Sequence, residues 1–576
     1  MAGMNARYVR RVRILALIVA LLGLVLVGRL YFLQILNGKA YVARANAQFV
    51  EPATPLTDRD SIYFTDKDGS QITAASLKDG FTLAVNPTKV TDAEALYKTL
   101  NAFTPLDHDS FIMKATKQNT EYQVVATHLP DDLGLEIQQK NIPGVVLADD
   151  RWRYYPGGSL AAQDIGFVAY NGDTEEGRYG LEAYYNDTLT RTEDDLYDNS
   201  FVQLFSAAKN VLGGQPSSGD VITTIEPSVQ AELERTLVSY DNVWHPQLAG
   251  GIIMDPQNGD IIAMASTPSF DLNNFGSVQD PSVYANPMVQ NVYEMGSIIK
   301  PLTMAAGIDS GAITPTTTYD DTGCITVDTK KICNYDFVAR GVIPMQQILS
   351  QSLNVGASFI ATRMGSTTMR DYFLQHYELG QKTGIDLPSE QAGLVNNIEK
   401  NSQSQGQVEF DTASFGQGIA ITPIETVRAL ATLANGGQLV TPHLAKSIHY
   451  DSGITTDIKY PPSVQVLKPD TTLAVSRMLT TVVDTVLDNG KVKMDHYSIA
   501  AKTGTAQIAN PAGGGYYADQ YLHSYFGYLP SYNAKFIIFL FAFKPVGAPY
   551  ASETWSDSFI DLTRFLVNYY DIPPDR

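Results

Sequence analysis

Polar and apolar positions divide this chain of 576 residues into three zones. The first is an apolar run from Ile14 to Gly28, interrupted by Arg29 and continued from Leu30 to Leu36 with only Gln34 polar. As a helix these 23 residues span roughly 34 Å, enough for a hydrocarbon core of about 30 Å. The second zone mixes short patterns. Residues 37–60 read as helical and then extended, with a break at Pro52 and Pro55. Asp58 to Ala75 alternates around the turn signal Asp66-Lys67-Asp68-Gly69. Ala93 to Phe103 and Leu133 to Lys140 repeat at helical spacing, and Ile165 to Val168 reads as a strand. Arg178-Tyr179-Gly180-Leu181-Glu182 opens a helical run to Leu189.

The third zone follows a Gly/Ser/Pro linker, Gly213 to Gly219. A strand from Val221 to Ile225 precedes a helix beginning near Pro227, since proline fits a first helical turn. Gly250–Met254 and Asp260–Ala265 flank Asp255-Pro256-Gln257-Asn258-Gly259 as a hairpin. Strands return between Ser498 and Lys544, and Ser556 to Tyr569 reads as a last helix. Strands at both ends of a helical block predict one α/β domain whose sheet joins them.

Charge sets the orientation and narrows the partners. Arg7, Arg10, Arg11 and Arg13 precede the long apolar run, so the N-terminus is expected in the cytoplasm and the body outside the membrane. A cleaved signal peptide would need small residues close behind its apolar core, and the nearest Ala-x-Ala pair, Ala43 and Ala45, lies well downstream. The expectation is an uncleaved single-pass anchor. The net charge is −20, and without the four arginines the remainder carries −24. So acidic a body argues against nucleic acid as a partner. Cys324 and Cys333 are the only cysteines, and outside the membrane a local disulfide between them is permitted. With no histidine beside them they make a poor metal site. No phosphate-binding glycine motif is present, and no cofactor is implied.

Three short elements carry candidate chemistry. Ser297-Ile298-Ile299-Lys300 places a hydroxyl and an amine three residues apart, which on a helix is one face. An amine so placed can serve as base for a serine nucleophile. Ser352-Leu353-Asn354 follows between two helical segments, and Lys502-Thr503-Gly504-Thr505 lies on a strand before a Gly-rich loop. Each is a chance-level motif alone, and a second Lys382-Thr383-Gly384 reads as a structural loop. Order, spacing and flanks together make the triple specific.

With these elements the chain resembles the class B penicillin-binding proteins, monofunctional peptidoglycan D,D-transpeptidases. Further family-like stretches are Arg178–Glu182, Met254-Asp255-Pro256 with Gly259, Ser414-Phe415-Gly416-Gln417-Gly418 with Thr422-Pro423, and Thr383–Pro388 with Glu390. Departures are Met295 where the family usually has Pro, Glu425 where Gln is usual, and a loose match over Asp58 to Ile62. The resemblance implies an α/β (α+β) fold: a penicillin-binding/β-lactamase-like domain at 216–576 with an antiparallel sheet flanked by helices. Ahead of it would come a cytoplasmic tail at 1–13, an anchor at 14–36 and a pedestal, or dimerisation-like, domain at 37–215.

By the same resemblance, Ser297 would attack the penultimate D-alanine carbonyl of a stem peptide and Lys300 would take its proton. Ser352 would pass a proton to the leaving amine, and Asn354 would hold the substrate amide and Lys300. Lys502, Thr503 and Thr505 would bind the terminal carboxylate, with Gly504 letting the substrate backbone lie close to the strand. The backbone N–H groups of Ser297 and Thr505 would form the oxyanion hole. The implied partners are peptidoglycan stem peptides ending in D-Ala-D-Ala, β-lactams, the membrane, and a multi-pass glycan polymerase of the shape, elongation, division and sporulation family, in division or elongation. The alternatives are a D,D-carboxypeptidase, a β-lactam sensor or an inactive scaffold of the same fold.

Overall fold

The computed structural model describes residues 59–171, 174–191, 218–399, 406–450, 453–510 and 512–576. The expected anchor at 14–36, the segment 37–58 and the linker up to Ser217 lie outside the described residues. Among the described residues no helix is long and apolar enough to cross a membrane.

The pedestal begins with strands β1 (Ile62–Thr65) and β2 (Gln71–Val85), joined by a turn in which Asp66 accepts the Asp68 and Ser70 N–H groups. Helices α1 (Ala93–Asn101) and α2 (His108–Ala115) follow, capped by Asp92 and Asp107. Then come β3 (Gln123–Pro130), α3 (Asp131–Gln139) and β4 (Val145–Tyr154). Leu83, Val85, Leu96, Leu100, Phe111, Leu129 and Ile137 close a small core of their own. The expected strand at 165–168 is instead a helical turn, Ala162–Ile165, with a strand only from Val168. The turn is broken off by Gly166 at φ +72°, where a Cβ would strike the Tyr179 carbonyl. The Arg178–Glu182 stretch opens α4 (Gly180–Tyr184).

The second part starts with β5 (Gly219–Thr223) and α5 (Pro227–Trp244), whose Pro227 sits in the first turn behind a Glu226 cap. Strands β6 (Leu248–Met254) and β7 (Ile261–Thr267) form the expected hairpin. Helix α6 (Lys300–Asp309) precedes a second hairpin, β8 (Cys324–Val327) with β9 (Lys330–Cys333), and α7 (Asn354–Asp371). Helices α8 (Gln407–Ala413) and α9 (Pro423–Ala434) come next, the latter with a capping box of Thr422 and Glu425. Strands β10 (Ala445–Tyr450) and β11 (Thr455–Asp457), helix α10 (Pro469–Thr485), strands β12 (Ala500–Ala509), β13 (Tyr516–Leu529) and β14 (Phe536–Phe543), and helix α11 (Ala551–Tyr569) complete it.

Two sheets organise the described residues. A five-stranded antiparallel sheet runs β12-β13-β14-β6-β7, uniting strands some 250 positions apart in the chain. β14 reads Phe-Ile-Ile-Phe-Leu-Phe-Ala-Phe without alternation because helices cover both faces, and nearly all of it is buried. Trp555 and Phe559 of α11 are fully buried, Trp555 stacking on Tyr240 of α5. The other sheet runs β11-β10-β5-β1-β2-β3, with β4 also on β2. Its β5 and β10 come from the C-terminal part and its β1 to β4 from the pedestal, so one sheet crosses the expected boundary near 215. Within the pedestal a buried knot ties segments together: Glu182 accepts from Arg59 Nε at 2.7 Å and Arg153 Nε at 2.6 Å.

Candidate active site

The backbone at residues 295–300 sets the geometry. Gly296 to Ile299 is a 3₁₀ turn running directly into α6 at Lys300, with Pro301 in the first turn. Side chains three apart eclipse in a 3₁₀ helix, so Ser297 and Lys300 stand one above the other. Lys300 Nζ lies 3.0 Å from Ser297 Oγ. Gly296 sits at φ +66°, and a Cβ there would lie 3.0 Å from the Ala506 Cβ and 3.3 Å from the Thr505 carbonyl carbon. The nucleophile turn thus touches β12. On its other side Gly296 N–H donates to the Gly416 carbonyl at 3.0 Å, and Gly416, at φ +79°, has no room for a Cβ against Gly296. This contact accounts for Gly416 in the Ser414–Gly418 stretch. Met295, in proline's usual place, has φ −78°, a value proline adopts, and its carbonyl accepts from Ser524 Oγ at 3.0 Å.

Ser352 approaches from the loop before α7. Its backbone is left-handed, φ +55°. Lys300 Nζ lies 3.2 Å from Ser352 Oγ and also bonds the Ser352 carbonyl. Ser297, Lys300 and Ser352 therefore meet at one amine. Asn354 begins α7, but its amide donates to the Cys333 carbonyl at 3.0 Å and makes no bond to Lys300, contrary to the expectation for it. Cys333 is disulfide-bonded to Cys324 across the β8–β9 hairpin. Asn334, which nothing in the sequence marked, accepts the Val355 N–H and donates to Asp321, fixing the start of α7.

Lys502, Thr503, Gly504 and Thr505 lie on β12, the edge of the five-stranded sheet. Lys502 is buried and donates to the Thr503 carbonyl at 2.8 Å. Thr505 Oγ1 accepts the Ala551 N–H at 3.0 Å, leaving its own proton free to donate. Gly504 faces inward: a Cβ would meet Ser524 Oγ at 2.4 Å and the Met295 carbonyl at 2.9 Å. Its smallness therefore serves the contact with the nucleophile turn, a reason different from the substrate approach expected for it. The other copy, Lys382-Thr383-Gly384, is a loop in which Thr383 and Gly384 N–H groups bind Glu390 while Lys382 is exposed.

The electrostatics are dominated by desolvation. Lys300 is 1% exposed. Burial, and then the charge of Lys502, hold its amine well below the usual lysine range. Burial brings Lys502 down to about 7. Neither lysine has a carboxylate partner among the described residues. The Ser297 N–H lies in the first turn of its helix, where N–H groups have no intrahelical acceptor, and so is available to an oxyanion.

The penicillin binding protein transpeptidase domain matches residues 249–548, just over half the chain, and the penicillin-binding protein dimerisation domain matches residues 62–195. The chain belongs to the class B penicillin-binding proteins. Stage V sporulation protein D of Bacillus subtilis is 28% identical over 541 residues, covering 91% of this penicillin-binding protein and 80% of the relative. Peptidoglycan D,D-transpeptidase FtsI of Buchnera aphidicola is 25% identical over 592 residues, covering 99% and 97%. Penicillin-binding protein 3 of Mycobacterium tuberculosis, solved with aztreonam, shares the fold at a TM-score of 0.67 and 22% identity, over 90% of this chain and 98% of that one.

Proposed function

We propose that this chain is a membrane-anchored serine D,D-transpeptidase that cross-links peptidoglycan stem peptides through an acyl-enzyme at Ser297. The observation that carries the reading is the buried Lys300 amine, 3.0 Å from Ser297 Oγ and 3.2 Å from Ser352 Oγ with no counter-ion among the described residues. A neutral amine there donates its two N–H groups to the Ser352 carbonyl and hydroxyl and offers its lone pair to the Ser297 proton. Ser297 Oγ bonds to the penultimate D-alanine carbonyl carbon, whose oxygen is held by the Ser297 and Thr505 N–H groups. Lys300 and Ser352 relay the proton to the leaving amine as the C–N bond breaks and D-alanine departs. A neighbouring stem amine then attacks the ester, forming the cross-link and returning the proton to Ser297.

Lys502, with the Thr503 and Thr505 hydroxyls, receives the terminal carboxylate, which restores the charge on Lys502. Asn354 exchanges the Cys333 carbonyl for the substrate amide. β-Lactams acylate Ser297 by the same route. Residues 1–13 lie in the cytoplasm, 14–36 span the membrane, 37–215 form the pedestal and 216–576 the catalytic domain. The anchor and pedestal dock a multi-pass glycan polymerase of the shape, elongation, division and sporulation family. The apolar run at 14–36 and the four arginines ahead of it support the membrane placement.

Labelling with a fluorescent penicillin is the direct test. The wild-type protein is expected to take one label per chain and Ser297→Ala none, whereas labelling that persists in the variant rules out Ser297 as nucleophile. A stem pentapeptide given an acceptor amine should yield cross-linked product, and free D-alanine without cross-links would make the enzyme a carboxypeptidase.

A further inference from the structure

The turn after the disulfide hairpin exposes apolar side chains at a place where exposure is unusual. Tyr335 is 57% exposed, Phe337 70% and Val338 53%. Phe337 is left-handed, φ +61°, a conformation that an aromatic residue adopts only where its surroundings impose it. Here they do. Phe337 N–H donates to the Asn334 carbonyl, and a Cβ on Gly323 would meet the Phe337 carbonyl at 2.7 Å. Arg340 grips Asp336 at 2.6 Å, the Val338 carbonyl at 2.7 Å and Gln351 Oε1 at 2.5 Å. Gln351 immediately precedes Ser352, and Asn334 holds the Val355 N–H. The turn is therefore built rigidly onto the catalytic loop from both sides.

Opposite stands Tyr550, 45% exposed, one residue before the Ala551 N–H that binds Thr505 Oγ1. The Tyr335 and Tyr550 rings meet edge to face, centroids 6.0 Å apart and planes at 77°. One ring belongs to the wall that carries Ser352 and Asn354, the other to the wall that carries Thr505. The contact thus bridges the two walls of the cleft. β12 is an edge strand, so a peptide can add to its free side. A peptide held there, with its carboxylate at Thr505, would begin beside Tyr550, whose neighbour Ala551 binds Thr505 Oγ1.

We propose that Tyr335 and Tyr550 form a clasp across the mouth of the cleft, parted by the donor stem peptide, whose residues upstream of the D-Ala-D-Ala unit then lie against the two rings. The clasp selects donors by their upstream length. It rests on the D,D-transpeptidase reading above. Edge-to-face rings are the geometry that aromatic side chains prefer, so the free enzyme keeps the clasp closed, and the exposed ring faces suit the apolar flank of an extended peptide.

The test compares two donors, a stem pentapeptide and N-acetyl-D-Ala-D-Ala, by release of D-alanine from the intact enzyme. The readout is the ratio of kcat/KM for the long donor to that for the short one. Tyr335→Ala and Tyr550→Ala are each expected to lower that ratio about tenfold, mainly through the KM of the long donor. The double variant should lower it little further, because one ring alone makes no clasp. Tyr335→Phe and Tyr550→Phe keep the rings and should keep the ratio. Stoichiometric penicillin uptake by each variant reports an intact fold and nucleophile. A ratio unchanged in both alanine variants overturns the clasp, as does an equal loss in the phenylalanine variants. A wild-type enzyme that takes penicillin but releases D-alanine from neither donor overturns the transpeptidase reading, and the clasp with it.

Discussion

Two buried charge clusters in this molecule are built on opposite plans. In the pedestal, Glu182 is fully buried between Arg59 and Arg153, with Tyr155 OH at 3.3 Å from the same carboxylate. Burial alone would push the Glu182 carboxyl up, but the two guanidinium groups overcome it and hold the carboxyl below its ordinary value. Beside Ser297, Lys300 and Lys502 are also buried and have no anion among the described residues; burial, and then the charge of Lys502, hold Lys300 well below the usual lysine range, and burial brings Lys502 down to about 7. The pedestal cluster spends its electrostatics on holding two segments together. The lysine pair withholds that compensation, which in the proposed mechanism makes Lys300 a base and leaves Lys502 to receive a carboxylate. Between the extremes lies Glu425, the carboxyl where related chains usually carry Gln. It is buried in the α9 capping box, accepts from the Gly380 and Thr422 N–H groups, and is pushed up to about 7, chiefly by burial.

Substitutions can sharpen this contrast, and the largest effect is expected at Lys300. Lys300→Met should lower penicillin acylation by about 10²–10⁴-fold, the usual contribution of a positioned base, while raising unfolding free energy by about 1–2 kcal/mol because an uncompensated buried amine is gone. A fall in both quantities would mean that Lys300 is structural. Glu182→Ala should do the reverse, costing about 3–5 kcal/mol in denaturant unfolding by leaving two buried cations without their anion. Folded variant should still react with penicillin at a near wild-type rate. The pH dependence has a definite sign: since the folded Glu182 value is depressed, its stabilisation is present above the unfolded carboxyl value and fades as pH falls through the folded one.

Glu425 has the opposite sign. Its raised value means that its stabilising contribution is present below the unfolded carboxyl value and lost as pH rises through about 7. Glu425→Gln should therefore stabilise by about 1–2 kcal/mol at pH 8 and by little at pH 5, and thermal melts at the two pH values would expose an equal shift at both. The smallest effect is expected from Met295→Pro. The backbone already has a proline φ, so acylation should change less than about twofold, and a loss well beyond that would make Met295 part of how the nucleophile turn is set.

The catalytic triple was legible in the sequence because its parts are local. Ser297 and Lys300 are three residues apart, Ser352 and Asn354 two, and Lys502 to Thr505 are consecutive. The β6–β7 hairpin and the return of strands between Ser498 and Lys544 were legible for the same reason. What sequence did not reveal depends on long-range pairing. The Glu182 carboxylate meets Arg59 from 123 positions away, so a loose match at the start of the pedestal hid the very residue that completes the knot. β4 was missed because Asp149, Asp150, Arg151 and Arg153 break its apolar pattern, yet it pairs with β2 along its whole length. Asn334 gave no signal at all. Gly504 and Asn354 were found but assigned roles by analogy, and their observed contacts with Ser524 and the Cys333 carbonyl come from packing that no spacing encodes.

The central claim is that Lys300 is a neutral amine made so by burial and by its neighbour. The most direct measurement is the pH profile of the second-order acylation constant for a penicillin, in the wild-type enzyme and in Lys502→Ala. The wild-type profile should rise with pH along a limb well below the ordinary lysine value of 10.5, as Lys300 loses its proton. In Lys502→Ala the residual rate should rise along a limb moved to higher pH, because the repelling charge is gone. A wild-type limb at the ordinary lysine value, or a limb that stays in place without Lys502, would contradict the account.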